Sequence, residues 1–220
     1  MLRAIPIILL AAAAVPVGAQ DATTGLAGSV SGNIYTSATG AFKIEVPVLP
    51  ALGGNIHDTD SVVTFRDNYG LQISIGAFAH DATQKWQLST LGNKEYLIYF
   101  LGTYVVPDFK KFCPKTSIES AGYSPDFLGG SLFAYLLLPG GSMFEGRPEF
   151  VKPTEPLVAK RGNVLFVING FTIVISTELS ERVTEGSLYN KTPEEEDQTL
   201  RNRLVAIVNK MQFPKPSPAK

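Results

Sequence analysis

The sequence holds one cysteine, two histidines and one tryptophan in 220 residues. The single cysteine, Cys113, excludes an intrachain disulfide. Neither histidine stands near it in sequence, where an activated catalytic thiol would want a partner. A buried small side chain is the simpler reading of Cys113, although a free thiol in an exported protein can also pair two chains. Charge is sparse as well: 18% of residues, with 19 basic against 20 acidic. Without a basic excess the chain lacks the electrostatic footprint of a nucleic-acid binder. After the first 20 residues no apolar run is long enough to cross a bilayer, so no transmembrane span is expected in the mature chain. No internal repeat stands out.

What is present begins with a leader. Arg3 gives a short positive region, residues 5–15 are apolar but too few to span a membrane comfortably, and Val17-Gly18-Ala19 meets the small-residue rule for cleavage. Residues 1–19 are therefore expected to be a signal peptide cut before Gln20. No cysteine stands at the cut to carry a lipid. This predicts an exported protein, periplasmic or secreted. Residues 20–33, rich in Ala, Thr, Gly and Ser, read as a flexible lead-in. Residues 34–213 form a single domain, and the Pro-rich end, 214–220, reads as a disordered tail.

Within the domain, residues 164–175 are the clearest signal. Two apolar runs flank Asn169-Gly170, the pair that a type I′ turn demands because both its central residues need positive φ. A two-residue turn sets Ile168 against Phe171, Phe166 against Ile173 and Val164 against Ile175. One face is then bulky, and the other carries Leu165, Val167, Thr172 and Val174. Strands this apolar need cover on both faces. A second hairpin, 62–67 with 71–78, pairs Asp67 with Leu71, Phe65 with Ile73 and Val63 with Ile75. A one-residue slip would lose that apolar match. Phe42, Ile44 and Val46 alternate as a strand stopped by Pro47.

A helix lies within 88–104, with Leu97, Leu101 and Tyr104 at helical spacing, and Pro107 is expected to break it. Its aromatic residues, Tyr96, Tyr99, Phe100 and Tyr104, read as core. Residues 116–123 are a weak strand and 132–138 a strong one. Residues 140–160 read as a long irregular connection, the kind of segment that often carries function. The terminal helix is fully punctuated: Thr192 as N-cap, Pro193 at N1, Glu195 completing a capping box, and a stripe of Leu200, Leu204, Ile207, Val208 and Met211. That stripe fits over the bulky face of the central hairpin. The class is α+β, an antiparallel sheet sandwiched between helices and capped by a C-terminal amphipathic helix.

The chain resembles the PsbP-like α/β/α sandwich superfamily, which includes exported bacterial DcrB-like proteins. The resemblance spans residues 35–213. It rests on Tyr35 with Gly40-Ala41-Phe42-Lys43-Ile44-Glu45-Val46-Pro47, the Val63-Thr64-Phe65 to Gly70 hairpin, Arg161-Gly162-Asn163-Val164-Leu165-Phe166, and the capped helix ending near Met211-Gln212-Phe213. It implies accessory or binding roles, mostly without catalysis, and brings no functional residue with it.

Other patterns are weaker. Gly140-Gly141-Ser142-Met143-Phe144 has the outline of a nucleophile elbow without its last glycine or a following helix, so Ser142 reads as part of a polar turn. Asn190-Lys191-Thr192 is a formal glycosylation acceptor, but Thr192 is accounted for as a helix cap. The sharpest chemical candidate is His57, Asp58, His80 and Asp81. Extending the second hairpin's register past its strand ends sets His57 opposite Asp81 and Asp58 opposite His80. Two imidazoles and two carboxylates are a ligand set for Zn²⁺ or a similar divalent cation, although no cofactor is required by the sequence. The expected function is that of a non-enzymatic accessory or ligand-binding protein of the cell envelope, with an envelope protein or a small ligand as partner. The alternatives are a metal-dependent enzyme or metal carrier using His57 and His80, and an interaction subunit of an envelope complex.

Overall fold

The computed structural model describes residues 25–144 and 157–215. The proposed leader, the start of the lead-in and the last tail residues lie outside the described residues, as does much of the 140–160 connection. The chain runs through β1 (Ser29–Ser31), β2 (Ile34–Thr36), β3 (Lys43–Glu45), β4 (Asn55–Asp58), β5 (Val62–Arg66), β6 (Gln72–Ala79) and α1 (Ala82–Phe100). A π-helical turn (Leu101–Val105) leads into α2 (Val106–Phe112), then β7 (Ser117–Ser124), β8 (Ser131–Pro139), β9 (Val158–Ile168) and β10 (Phe171–Glu178). A short α3 (Glu181–Thr184), α4 (Pro193–Asn209) and β11 (Met211–Gln212) complete it.

The main sheet has the order β4-β5-β6-β10-β9-β8-β7, all antiparallel, and a small sheet β1-β2-β3-β11 flanks it. The central hairpin keeps the expected register: Ile168 opposite Phe171, Phe166 opposite Ile173, Val164 opposite Ile175. Asn169 and Gly170 both take positive φ, 51° and 79°, as a type I′ turn requires. The second hairpin also pairs Phe65 with Ile73 and Val63 with Ile75. The carboxylate of Asp67 accepts the N–H groups of Tyr69, Gly70 and Leu71 and closes that turn.

Both faces of the sheet are buried. Val164, Phe166, Ile173 and Ile175 pack with Leu200, Leu204 and Ile207 of α4 on one side. Leu165 and Val174 pack with Tyr96, Leu97 and Phe100 of α1 on the other. α4 carries the expected capping box, Thr192 with Glu195, and Pro193 in its first turn. Gly162 lets the helix come close, because a β-carbon there would stand 2.9 Å from Cβ of Leu200. An ionic lock fixes the helix start. The side chain of Lys160, 0% exposed, pairs with Glu119, with Glu196 at 3.0 Å and with Asp197 at 2.6 Å. Burial pulls the Lys160 ammonium down, but the bonds from Asp197, Glu119 and Glu196 outweigh it and hold it above its ordinary value. Lys160 is thus a charged strut. Glu196 also accepts from Arg182 and Tyr189, so this acidic residue of the first helical turn is a buried hub.

Three expectations are corrected. The lead-in is structured from Ser29, where β1 pairs with β2. Asp58 anchors it, accepting from the backbone N–H groups of Ala27 (2.9 Å) and Gly28 (2.7 Å). Pro107 does not break the helical run. Proline removes a donor and its ring crowds the carbonyl four residues back. The chain answers by widening one turn, so that Val106 N–H reaches the carbonyl of Leu101, and Pro107 falls in the first turn of α2. The long connection is shorter than expected at its far end, since β9 is already extended from Val158.

Gly170→Val should destabilise the fold by about 2 kcal/mol. A β-carbon there meets open space, so the cost is backbone strain at a positive φ, not a clash. Urea unfolding checks this; a midpoint equal to the parent's would show that the turn tolerates a β-branched residue.

Candidate functional site

The proposed metal ligands do not meet. The chain reverses at Thr59, where the Thr59 N–H bonds to the carbonyl of Val62. β4 then pairs with β5, setting His57 opposite Thr64 and Asp58 opposite Val63. The far side of β6 is taken by β10, so β5 and β6 separate the His57 end from His80. His57 is exposed. Besides anchoring Ala27 and Gly28, Asp58 accepts from the Tyr35 hydroxyl at 2.7 Å. Burial would raise the Asp58 carboxyl, yet the Gly28 N–H, the Tyr35 hydroxyl and the Ala27 N–H together hold it below its ordinary value. Asp81 is the N-cap of α1: it accepts the Gln84 N–H at 2.8 Å while the Gln84 side chain accepts the Asp81 N–H at 3.0 Å. The signal was present as Asp-x-x-Gln, a capping-box pattern. Among the described residues, no group of three or more His, Cys, Asp or Glu side chains gathers as a metal site.

His80 is a core group. Its Nε2 bonds to Thr172 Oγ1 at 2.8 Å, and Thr172 bonds in turn to the Tyr96 hydroxyl at 2.8 Å. Cys113 is buried, its thiol donating to the carbonyl of Pro139 at 3.3 Å. Ser142 is the polar turn residue expected: its hydroxyl donates to Glu178 at 2.5 Å and accepts the Phe144 N–H at 3.0 Å. Glu178 also pairs with buried Arg161 at 3.2 Å and accepts the Met143 N–H.

The site the structure does offer lies on the α1 face of the sheet. Alternation along the strands brings Thr64, Ser74, Ser176 and Asn163 into one transverse row across β5, β6, β10 and β9. The row is polar, and at Asn163 and Ser176 it is buried, next to apolar Leu165 and Val174 on the same face. Thr64 and Ser74 bond to each other at 2.9 Å, and Gln72 Nε2 donates to Ser74 at 2.7 Å. The Ser176 hydroxyl and Asn163 Oδ1 have no partner at all, although Ser176 is 5% exposed and Asn163 0%. A buried polar atom without a partner costs about 1–3 kcal/mol, so such groups usually have a reason.

Above this row is a cavity of about 400 Å³. Ser74, Gly76, Val174, Ser176 and Asn163 line its floor, with Phe78, Phe100, Tyr104 and Phe109 along its sides. Gly76 leaves room for the Phe78 ring to lie across the floor, since a β-carbon would stand 2.6 Å from it. Phe100 stacks against Phe78 at 5.7 Å and against Tyr104 at 4.8 Å. Tyr104 and Val105 reach the cavity from the π-helical turn, a distortion that is frequent at functional sites. Asp108 and Lys111 also line it, paired at 2.9 Å and largely exposed. A space of this size with an apolar lining and a few polar groups is a binding pocket in form.

Sequence reading missed this site, though half of it was within reach. Extending the central register by one pair sets Asn163 opposite Ser176, and the second hairpin's register sets Thr64 opposite Ser74. Only the pairing of β6 with β10, which joins two segments about a hundred residues apart, carries no local signal.

No family model matches the chain, and no curated protein matches it. Solved structures do. The Saccharomyces cerevisiae Ran-binding protein Mog1p is 13% identical with a TM-score of 0.48, covering 85% of this chain and 97% of its own. Cyanobacterial PsbP (CyanoP) from Synechocystis sp. PCC 6803 is 13% identical with a TM-score of 0.47, covering 85% of this chain and 98% of its own. At such identity and similarity these neighbours carry no argument about what the chain does, and the architecture stands on the strand pairing described above.

Burial, and then the Lys85 charge, push His80 below its ordinary value of 6.5, with Asp81 opposing. The unfolded chain therefore binds this proton more readily than the folded one. The stability held by neutral His80 should be complete above about pH 6.5 and decline as pH falls from there toward the lower folded value. Thermal melts between pH 7.5 and 5 should show a smaller decline for His80→Gln than for the parent. Equal declines would contradict this.

Proposed function

We propose that the protein is an exported, non-enzymatic ligand-binding protein of the cell envelope, and that the aromatic-walled cavity between the sheet and the π-helical turn is its binding site. One observation carries the reading: two residues of the cavity floor, Asn163 and Ser176, are buried polar groups with an atom that has no hydrogen-bond partner in the protein. The aromatic sides supply apolar contact and the floor supplies orientation, the division of labour common to small-molecule sites. Export rests on the leader-like residues 1–19. The metal-enzyme and metal-carrier readings have less support, since His57 is on β4 and His80 follows the end of β6, with β5 between those strands.

A neutral fluorescent dye, N-phenyl-1-naphthylamine, should bind the mature chain saturably at one site. Val62 lines the cavity opposite Gly76, so Val62→Trp should fill it and weaken binding about tenfold or more. A parental melting temperature in the variant would confirm that its fold is intact. Failure of the dye to saturate, or equal affinity in the well-folded variant, would overturn the reading. N-terminal sequencing of exported material should begin at Gln20.

A further inference from the structure

The floor of the cavity also points to what kind of molecule fits, an inference that rests on the cavity being a binding site. Asn163 and Ser176 are direct cross-strand partners on β9 and β10. Both residues line the cavity. The orientation of the Asn163 amide is set by its surroundings. Its Nδ2 donates to the carbonyls of Ala134 at 3.3 Å and Arg161 at 3.4 Å. Turning the amide over would press Oδ1 against those two carbonyl oxygens. The unpartnered atom is therefore Oδ1, which can only accept. The Ser176 hydroxyl, also unpartnered, can donate. Ser74, which faces Ser176 from β6, bonds to Gln72 and Thr64 and makes no hydrogen bond to the Ser176 hydroxyl.

The floor thus presents an acceptor and a donor side by side. Directly opposed residues on antiparallel strands have β-carbons about 4.5–5.5 Å apart. A cis amide presents the complementary pattern on one edge: an N–H and, next to it, a C=O. The charged side chains among the described lining residues are Asp108 and Lys111, and they neutralise each other. Arg161, against the lining residue Phe109, is paired with Glu178, so among the described residues each charge near the cavity is paired within the protein and a charged ligand would be desolvated without compensation. The aromatic sides, Phe78, Phe100 and Tyr104, suit a flat ring.

We propose that the cavity takes a neutral, planar ring carrying a lactam edge, whose N–H donates to Asn163 Oδ1 and whose C=O accepts from the Ser176 hydroxyl. Asn163 Oδ1 and the Ser176 hydroxyl are then both satisfied, and a ring lacking the N–H would leave Asn163 Oδ1 buried and unmet.

Two matched compounds test this, 2-quinolone and N-methyl-2-quinolone, which share a ring system and differ in the N–H. Each is titrated against the mature chain loaded with N-phenyl-1-naphthylamine. 2-Quinolone should displace the dye at a concentration about tenfold lower than its N-methyl analogue. Asn163→Leu should erase that preference, and Ser176→Ala, which removes the partner of the shared C=O, should weaken both quinolones about equally, while dye binding persists in each. Should Asn163→Leu fail to fold, Ser176→Ala decides the matter. Equal displacement by the two quinolones with the dye still bound would overturn the lactam proposal and leave the binding site standing. A 2-quinolone affinity unchanged in Ser176→Ala would overturn it too. Absence of dye binding would remove both.

Discussion

Asn169 and Gly170 reverse the chain with both residues at positive φ, and the register this imposes is what the other layers answer to. It puts Val164, Phe166, Ile173 and Ile175 on one face and Leu165, Val167 and Val174 on the other. A hairpin apolar on both sides is unstable in water until something covers each side. α4 covers the first face, held at its start by Lys160 and its three carboxylates, and α1 covers the second. β8 and β6 then pair with the hairpin's two outer edges, and the sheet grows outward from there.

The cover on the second face is incomplete, and the binding site follows from that. α1 bends at Gly92, whose φ of 73° is not helical, and the run widens into a π turn before Pro107. The helix layer seals β8 and the upper half of β9 and β10. Toward Ser74, Gly76, Ser176 and Asn163 it leaves the cavity. The protein supplies no hydrogen-bond partner for Asn163 Oδ1 or the Ser176 hydroxyl there. Buried polar atoms without a partner also occur elsewhere among the described residues, but here two stand side by side on neighbouring strands under a cavity, and broken rules concentrate at functional sites.

What the sequence disclosed, and what it hid, divides along contact distance. The Asn169-Gly170 turn, the Phe65 to Ile73 register and the Thr192–Glu195 capping box are local, and each stands in the structure as read. The His57–His80 juxtaposition failed because it extrapolated a register past Thr59, where the chain turns back and spends β4 on the outer side of β5. Asp81 was misassigned for a related reason: a carboxylate beside a histidine suggests a ligand, but three residues on stands Gln84, its partner in a capping box. Lys160 gave no sign of burial, since its three carboxylate partners come from β7 and α4. The polar floor needed two hairpins to be laid edge to edge, and β6 with β10 is a pairing across most of the domain.

The account stands or falls on what occupies the space over Asn163. The most direct measurement is a crystal structure of the mature chain soaked with 2-quinolone. It should show the ring against Phe78 and Phe100, its N–H within hydrogen-bond distance of Asn163 Oδ1 and its C=O on the Ser176 hydroxyl. A cavity that stays empty at saturating compound, or a ring bound with its lactam edge turned to solvent, would contradict the account.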